Sequence, residues 1–282
     1  MIKDKKFLIV GLGLLGGSIA MGLKKMNHEV YAIDIDEKAI QYALAHNIIL
    51  EGSTSLDPDL IGKADVILSG LYPSMIVDWI NENQKYMKPH TLITDVTGVK
   101  GPIVSKIQSL LREDLEFIGA HPMAGKEVSG IKNADPSIFL PANLILTPTE
   151  KNTQKAIDFM REIGIELRFN RVVELSVEEH DEMIGYLSQL THVIAVSLMN
   201  ANDSTHLAEY TGDSFRDLTR IAKINENLWT ELFLMNKENL IREISCFVDE
   251  VNDFKEALEN EDCEKMKQKF VTSTKRRKYF DC

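Results

Sequence analysis

A glycine loop, an acid and a histidine carry the residue types and spacings through which this 282-residue chain could do chemistry. The stretch Leu8-Ile9-Val10-Gly11-Leu12-Gly13-Leu14-Leu15-Gly16 is a GxGxxG that follows an apolar strand pattern and opens a helical one. In that setting Gly11 makes the tight turn, Gly13 lets a pyrophosphate approach the backbone, and Gly16 allows helix to pack closely on strand. With Leu12, Leu14 and Leu15 between them, these glycines form the candidate dinucleotide loop. The helix N-terminus would supply unpaired N–H groups and partial positive charge to the phosphates. Asp34 closes the next strand pattern, where a carboxylate binds ribose hydroxyls. It would repel a 2′-phosphate, and no arginine follows it closely, so NAD is favoured over NADP.

His121 stands in Gly119-Ala120-His121-Pro122-Met123-Ala124-Gly125-Lys126-Glu127, at the end of a later strand pattern. Ligands of open α/β sheets bind beyond the carboxyl ends of the strands, so His121 would face the nicotinamide end of the crevice. An imidazole titrates near neutral pH and suits proton removal from an alcohol during hydride transfer. A histidine simply hydrogen-bonded within a loop would give the same sequence. Further on, Ser188 and His192 share one helical face and make a polar notch in an apolar helix. Arg216, Arg220 and Lys223 follow an i, i+4, i+7 spacing, which would put them on one basic helical face; a solvated face reads identically.

These residues need elements to position them. Short apolar runs at Lys6–Val10, Glu29–Asp34, Ala64–Gly70, Thr91–Val96, Glu116–Ala120, Asn143–Thr147 and Glu166–Asn170 read as strands covered on both faces. Helical patterns lie between them, at Gly16–Met26, Glu37–His46, Met75–Met87, Val99–Leu111 and Lys151–Ile163. The alternation predicts an α/β fold, an N-terminal Rossmann-type, doubly wound and mainly parallel sheet. From Ser176 onward no strand pattern appears. Ser176 and Glu179 form a capping-box signature opening a long helix through Met183, Leu187, Leu190, Ile194 and Leu198. That helix is apolar on nearly all sides, as expected at a bundle centre or subunit interface. A further seam runs through Leu228, Leu232, Leu240, Ile244, Val248, Val251 and Phe254. Two domains are therefore expected, residues 1–172 for the dinucleotide and 173–282 all-helical.

Composition narrows the partners. The net charge is −11, from 43 acidic against 32 basic residues, a poor basis for binding nucleic acid or an anionic membrane. Cys246, Cys263 and Cys282 are odd in number and lack metal-binding spacing, so no metal is expected and the chain reads as a reduced, cytoplasmic protein. Lys3, Lys5 and Lys6 before the low-polarity run Phe7–Leu23 imitate a secretion signal, but the glycines of that run fit the phosphate loop.

The sequence resembles the prephenate dehydrogenase family, which includes arogenate dehydrogenases. The resemblance rests on Gly11 to Ser18, on Thr94-Asp95-Val96-Thr97-Gly98-Val99-Lys100, and on His121-Pro122-Met123-Ala124-Gly125. It continues through His180-Asp181, Leu190-Thr191-His192, Phe215 to Ala222, Trp229 and Asn236-Lys237-Glu238-Asn239. The resemblance implies NAD-dependent oxidative decarboxylation of prephenate to 4-hydroxyphenylpyruvate, on the route to tyrosine. It implies that His121 accepts the C4 hydroxyl proton and that Arg220 holds a substrate carboxylate. It places His192 on the substrate side and Glu127 at the mouth of the site. Many members carry serine where this chain has Gly98; the neighbouring Thr97 is the expected substitute. The central helix, too apolar for one small bundle to cover easily, predicts a homodimer joined through the helical domain. Rival readings are an arogenate dehydrogenase, a β-hydroxyacid dehydrogenase and a dinucleotide-sensing regulator without chemistry. The β-hydroxyacid class usually depends on a helical-domain lysine, whereas here His121 follows a strand.

Overall fold

The computed structural model describes residues 5–126 and 128–280. Its strands are β1 (Lys6–Val10), β2 (Glu29–Ile33), β3 (Glu51–Ser53), β4 (Val66–Ser69), β5 (Leu92–Asp95), β6 (Glu116–Pro122), β7 (Asn143–Thr147) and β8 (Arg171–Glu174). They form one eight-stranded sheet in the order β3-β2-β1-β4-β5-β6-β7-β8. Every neighbouring pair is parallel except β6 and β7, which run antiparallel with His121 opposite Ile145. Between β1 and β4 the strand order reverses direction, and the crevice at that switch point opens beyond the carboxyl ends of β1, β4, β5 and β6.

The first helices are α1 (Leu14–Lys25), α2 (Glu37–Ala45), α3 (Pro58–Lys63), α4 (Pro73–Asn83), α5 (Gly101–Leu110) and α6 (Gln154–Glu166). They cover both sheet faces, so β1 buries Phe7 and Ile9 in one cluster with Ile19 and Leu23, and Leu8 and Val10 in another with Ile76 and Ile103. Burial on both faces is why these strands are near-continuous in apolar residues rather than alternating.

One expected element differs, and one strand was not expected. The alternation Ile165-Glu166-Leu167-Arg168-Phe169-Asn170 imitates a strand, yet α6 runs through Glu166 and the chain leaves it through a left-handed Arg168 at φ 64°. Leu167 and Phe169 are buried by that turn, and the strand itself begins only at Arg171. The edge strand β3 is Glu-Gly-Ser, which has no apolar pattern; it pairs with β2 through backbone, and its Glu51 is ion-paired with Lys63 at 2.7 Å.

After β8 come α7 (Val177–Ile184), α8 (Thr191–Asn200), α9 (Leu207–Tyr210), α10 (Asp213–Thr219), α11 (Glu226–Met235), α12 (Lys237–Glu259) and α13 (Cys263–Arg277). The capping box at Ser176 and Glu179 is formed in both directions. A π-helical stretch, Gly185–Leu190, joins α7 to α8 and shifts the helical phase. The expected seam is therefore split: Leu190 is buried while Met183 and Leu187 are exposed. Arg216 lies in α10, Arg220 in the 3-10 turn Arg220–Ala222, and Lys223 in extended chain, so the three do not share one helical face.

The chain divides into two compact units, residues 1–236 and 237–282. The second is a helical pair in which Phe254 packs on Phe270 at 5.9 Å between ring centroids and Lys269 bonds Asp253. In it Val248 and Val251 of the expected seam are exposed, whereas Leu240 and Ala257 are buried. Among the described residues, no helix is long and apolar enough to cross a membrane.

Candidate active site

The glycine loop follows β1 as its sequence requires. Gly11 has φ 96°, a left-handed conformation that disfavours side chains, and a Cβ there would crowd the Gly70 carbonyl at 3.0 Å. A Cβ on Gly16 would overlap the Gly11 carbonyl oxygen, so helix and loop are in direct backbone contact. A Cβ on Gly13 would meet nothing within 4 Å, which leaves open space in front of the loop. Gly13 is the N-cap of α1 and no side chain caps that end. The first N–H groups of α1 thus face a cradle with the form and partial charge that a pyrophosphate needs. Leu12 is buried beneath the loop, and Leu14 and Leu15 pack partly on the core. Asp34 follows the last residue of β2. Its carboxylate accepts from the N–H of Leu12 at 2.5 Å and from that of Asp36 at 2.7 Å, which ties the acid to the loop. These residues fit a dinucleotide.

His121 lies near the carboxyl end of β6, its ring half-buried. Its Nδ1 is 2.9 Å from Nε2 of His180, and Nδ1 of His180 is 2.7 Å from Asp181. Asp181 in turn accepts from the backbone N–H of Lys100 at 2.8 Å and of Gly101 at 2.7 Å, at the start of α5. Nε2 of His121 is left without a hydrogen-bond partner among the described residues. Burial pushes the His121 imidazole well below its ordinary range, and nearby His180 and Lys100 push the same way. At neutral pH it is therefore an uncharged base.

Beneath the ring lies a second cluster. Lys100 is fully buried, and its ammonium bonds Asp95 at 2.5 Å, the Ala120 carbonyl at 2.6 Å and the Thr97 hydroxyl at 3.1 Å. Asp95 also accepts from the N–H of Ala120 at 3.1 Å. The pair thus grips both backbone groups of the residue before His121. Burial lowers the Lys100 ammonium while Asp95 works in the opposite direction. The Thr97 hydroxyl, expected to stand in for the missing serine at 98, is taken up by Asp95 and Lys100 instead. Gly98 faces the ring: a Cβ there would lie 3.9 Å from Cε1 of His121 and 3.5 Å from Leu232 of α11.

Leu232 links this cluster to the helical residues. Its carbonyl accepts from the Gln189 amide at 3.0 Å, and Asn236 donates to the Asp181 carbonyl at 2.8 Å and to Gln189 at 2.9 Å. One turn earlier on α11, Trp229 packs against His192 with the rings tilted by 31° and centroids 3.6 Å apart. Nδ1 of His192 contacts the Ser188 carbonyl at 2.8 Å, so the expected Ser188–His192 pair meets through backbone. Arg220 sits exposed on its 3-10 turn, which packs against α8, the helix carrying His192. Glu127 lies outside the described residues.

The structure brings His121, Gly98 and Leu232 together, and through α11 adds Trp229 and His192. Sequence reasoning assigned no role to His180, Asp181, Asp95 or Lys100. The adjacent His-Asp after a capping box and the lone lysine closing Thr97-Gly98-Val99-Lys100 were the available signals, but their partners are distant in the chain.

Residues 19–172 match the family model described as prephenate dehydrogenase, nucleotide-binding domain, and residues 176–272 match the one described as prephenate dehydrogenase, dimerization domain. A prephenate dehydrogenase of Bacillus subtilis is 31% identical over 279 residues, covering 94% of this chain and 73% of its own. A cyclohexadienyl dehydrogenase of Zymomonas mobilis is 27% identical over 284 residues, covering 97% and 95%. The crystal structure of a prephenate dehydrogenase from A. aeolicus, in complex with hydroxyphenyl propionate and NAD+, has a TM-score of 0.89 to this chain. It is 29% identical, and the match covers 99% of each chain.

Proposed function

The chain belongs to the prephenate dehydrogenase family, and from that premise we propose that it catalyses NAD-dependent oxidative decarboxylation of prephenate to 4-hydroxyphenylpyruvate. The observation that carries the reading is an uncharged imidazole whose Nε2 is open while its Nδ1 is held by a buried network. NAD, when bound, supplies the hydride acceptor. The open cradle before Gly13 and α1 binds the pyrophosphate, and Asp34 binds the adenosine ribose and disfavours a 2′-phosphate.

His121 takes the C4 hydroxyl proton at Nε2 as the C4 hydride leaves with its electron pair, and the C4 carbonyl forms. The bond from C1 to the ring carboxylate then breaks, carbon dioxide departs, and its electron pair enters the ring. The resulting phenolate oxygen recovers the proton from His121, so no net proton is released. Aromatisation provides the drive, and the protein's contribution is placement and proton custody.

Arg220 holds a substrate carboxylate by charge-assisted hydrogen bonding. His192 orients the side-chain end against Trp229, with Ser188 beside it, and Glu127 belongs at the mouth. Thr97 supports the Asp95–Lys100 pair rather than touching substrate. Residues 1–172 serve the dinucleotide and 173–282 serve substrate and pairing. The description of the second family model supports a homodimer, and the exposed Met183, Tyr186, Leu187 and Met199 are the kind of surface that a second copy covers. The enzyme works in the cytoplasm.

Purified protein mixed with NAD and prephenate should generate NADH absorbance, and should elute at the mass of two chains. Turnover of arogenate but not prephenate would move the substrate assignment to the aminated analogue. No turnover of either would leave a dinucleotide sensor.

A further inference from the structure

The hydrogen-bonded line running from the start of α5 to the His121 ring has a direction imposed by chemistry. Both oxygens of Asp181 accept backbone N–H groups, from Lys100 and Gly101, so the carboxylate carries no proton and can only accept. Nδ1 of His180, 2.7 Å away, must therefore be the protonated nitrogen. In an uncharged His180 that leaves Nε2 with a lone pair. Nδ1 of His121, 2.9 Å from that lone pair, must then be the donor. The proton of the His121 ring is committed to Nδ1, and the lone pair falls on Nε2.

We propose that Asp181 and His180 are positioning residues that act in series to fix the tautomer of His121, so that Nε2 always faces the substrate hydroxyl as an acceptor. The inference rests on the prephenate reading for the identity of that hydroxyl, but the tautomer itself does not depend on the substrate. The alternative, a charged His180 donating from Nε2, would force the proton of His121 onto its own Nε2 and abolish the base. Complete burial of His180 opposes that charge, with Asp181 working against the burial.

The line also has work to do during turnover. Asp95 and Lys100 cancel one another, so Asp181 is the uncompensated charge of the cluster. When the hydroxyl proton reaches Nε2, the His121 imidazolium donates from Nδ1 to His180, whose own N–H points at Asp181. Positive charge thus arises where a buried negative charge already waits, without rearrangement. Once carbon dioxide has left, the same proton returns to the phenolate oxygen and the line resets.

Two measurements test this. In protein labelled with nitrogen-15 at histidine and saturated with NAD, His121 should show a protonated Nδ1 and an unprotonated Nε2 at neutral pH. Its signals are those lost in His121→Asn. The reverse tautomer in the unsubstituted protein overturns the proposal, whatever the substrate proves to be. In turnover, His180→Leu should lower kcat by about 10²-fold or more, in the range set by a misplaced histidine tautomer, with little change in KM. His180→Gln, whose amide oxygen can accept from Nδ1, should recover part of that loss. A His180→Leu variant that binds NAD normally and keeps its kcat would also overturn it. A protein inactive on prephenate but showing the expected tautomer would sink the substrate reading and leave the positioning role standing.

Discussion

The surroundings of His121 and of Arg220 are built on opposite plans. Around His121 the polar atoms of Asp95, Lys100, His180 and Asp181 are buried and bonded to one another or to backbone, and the ring is fixed before any ligand arrives. Arg220 stands exposed on a one-turn 3-10 segment between α10 and α11, beside α8, whose apolar Met199 also faces outward. The contrast fits the tasks proposed for the two residues. A proton acceptor must have a set tautomer and a lowered charge cost, which only a dry, prepaid network supplies. A carboxylate clamp must admit a charged ligand from water, and an exposed guanidinium on a short turn keeps its charge and its reach.

Substitutions on the two sides should fail differently. The largest effect is expected at the ring itself: His121→Asn should lower kcat by about 10²- to 10⁴-fold while NAD binding, followed by fluorescence titration, is retained. Turnover close to that of the unsubstituted protein would remove the difference between the two regions. Lys100→Met should leave Asp95 charged and unpaired in the interior and cost about 3–5 kcal/mol of stability, read from denaturant unfolding. A change below about 1 kcal/mol would mean that the buried pair does not hold the strand ends together. The mildest effect belongs to the open side. Arg220→Ala should leave stability nearly unaltered and raise KM for prephenate by about ten- to a hundredfold, the worth of a charged hydrogen bond of roughly 1.5–3 kcal/mol. An unchanged KM would take Arg220 out of the site.

Legibility in the sequence followed the range of the interactions. The glycine loop and the capping box at Ser176 are local, set by backbone conformation and by neighbours within one turn, and they stand where their patterns put them. The strand pattern at Glu166–Asn170 misled because a helix exit through a left-handed Arg168 produces the same alternation of buried and exposed residues. The long apolar helix misled because the π-helical turn at Gly185–Leu190 rotates one half against the other, and no residue type announces such a turn. Arg216, Arg220 and Lys223 keep helical spacing, but the helix stops at Thr219.

The sequence by itself determined the central parallel strands and the dinucleotide loop and put forward the histidine proposed as the base, since each depends on residue type and spacing along a few consecutive positions. Only the tertiary structure decided which nitrogen of that base is free. The atoms that settle it come from β6, α5 and α7, far apart in the chain, and a tautomer is fixed by which acceptor lies within 3 Å of which nitrogen. Hydrogen-bond partners of that kind are a property of packed elements and leave no periodic trace in the order of residues.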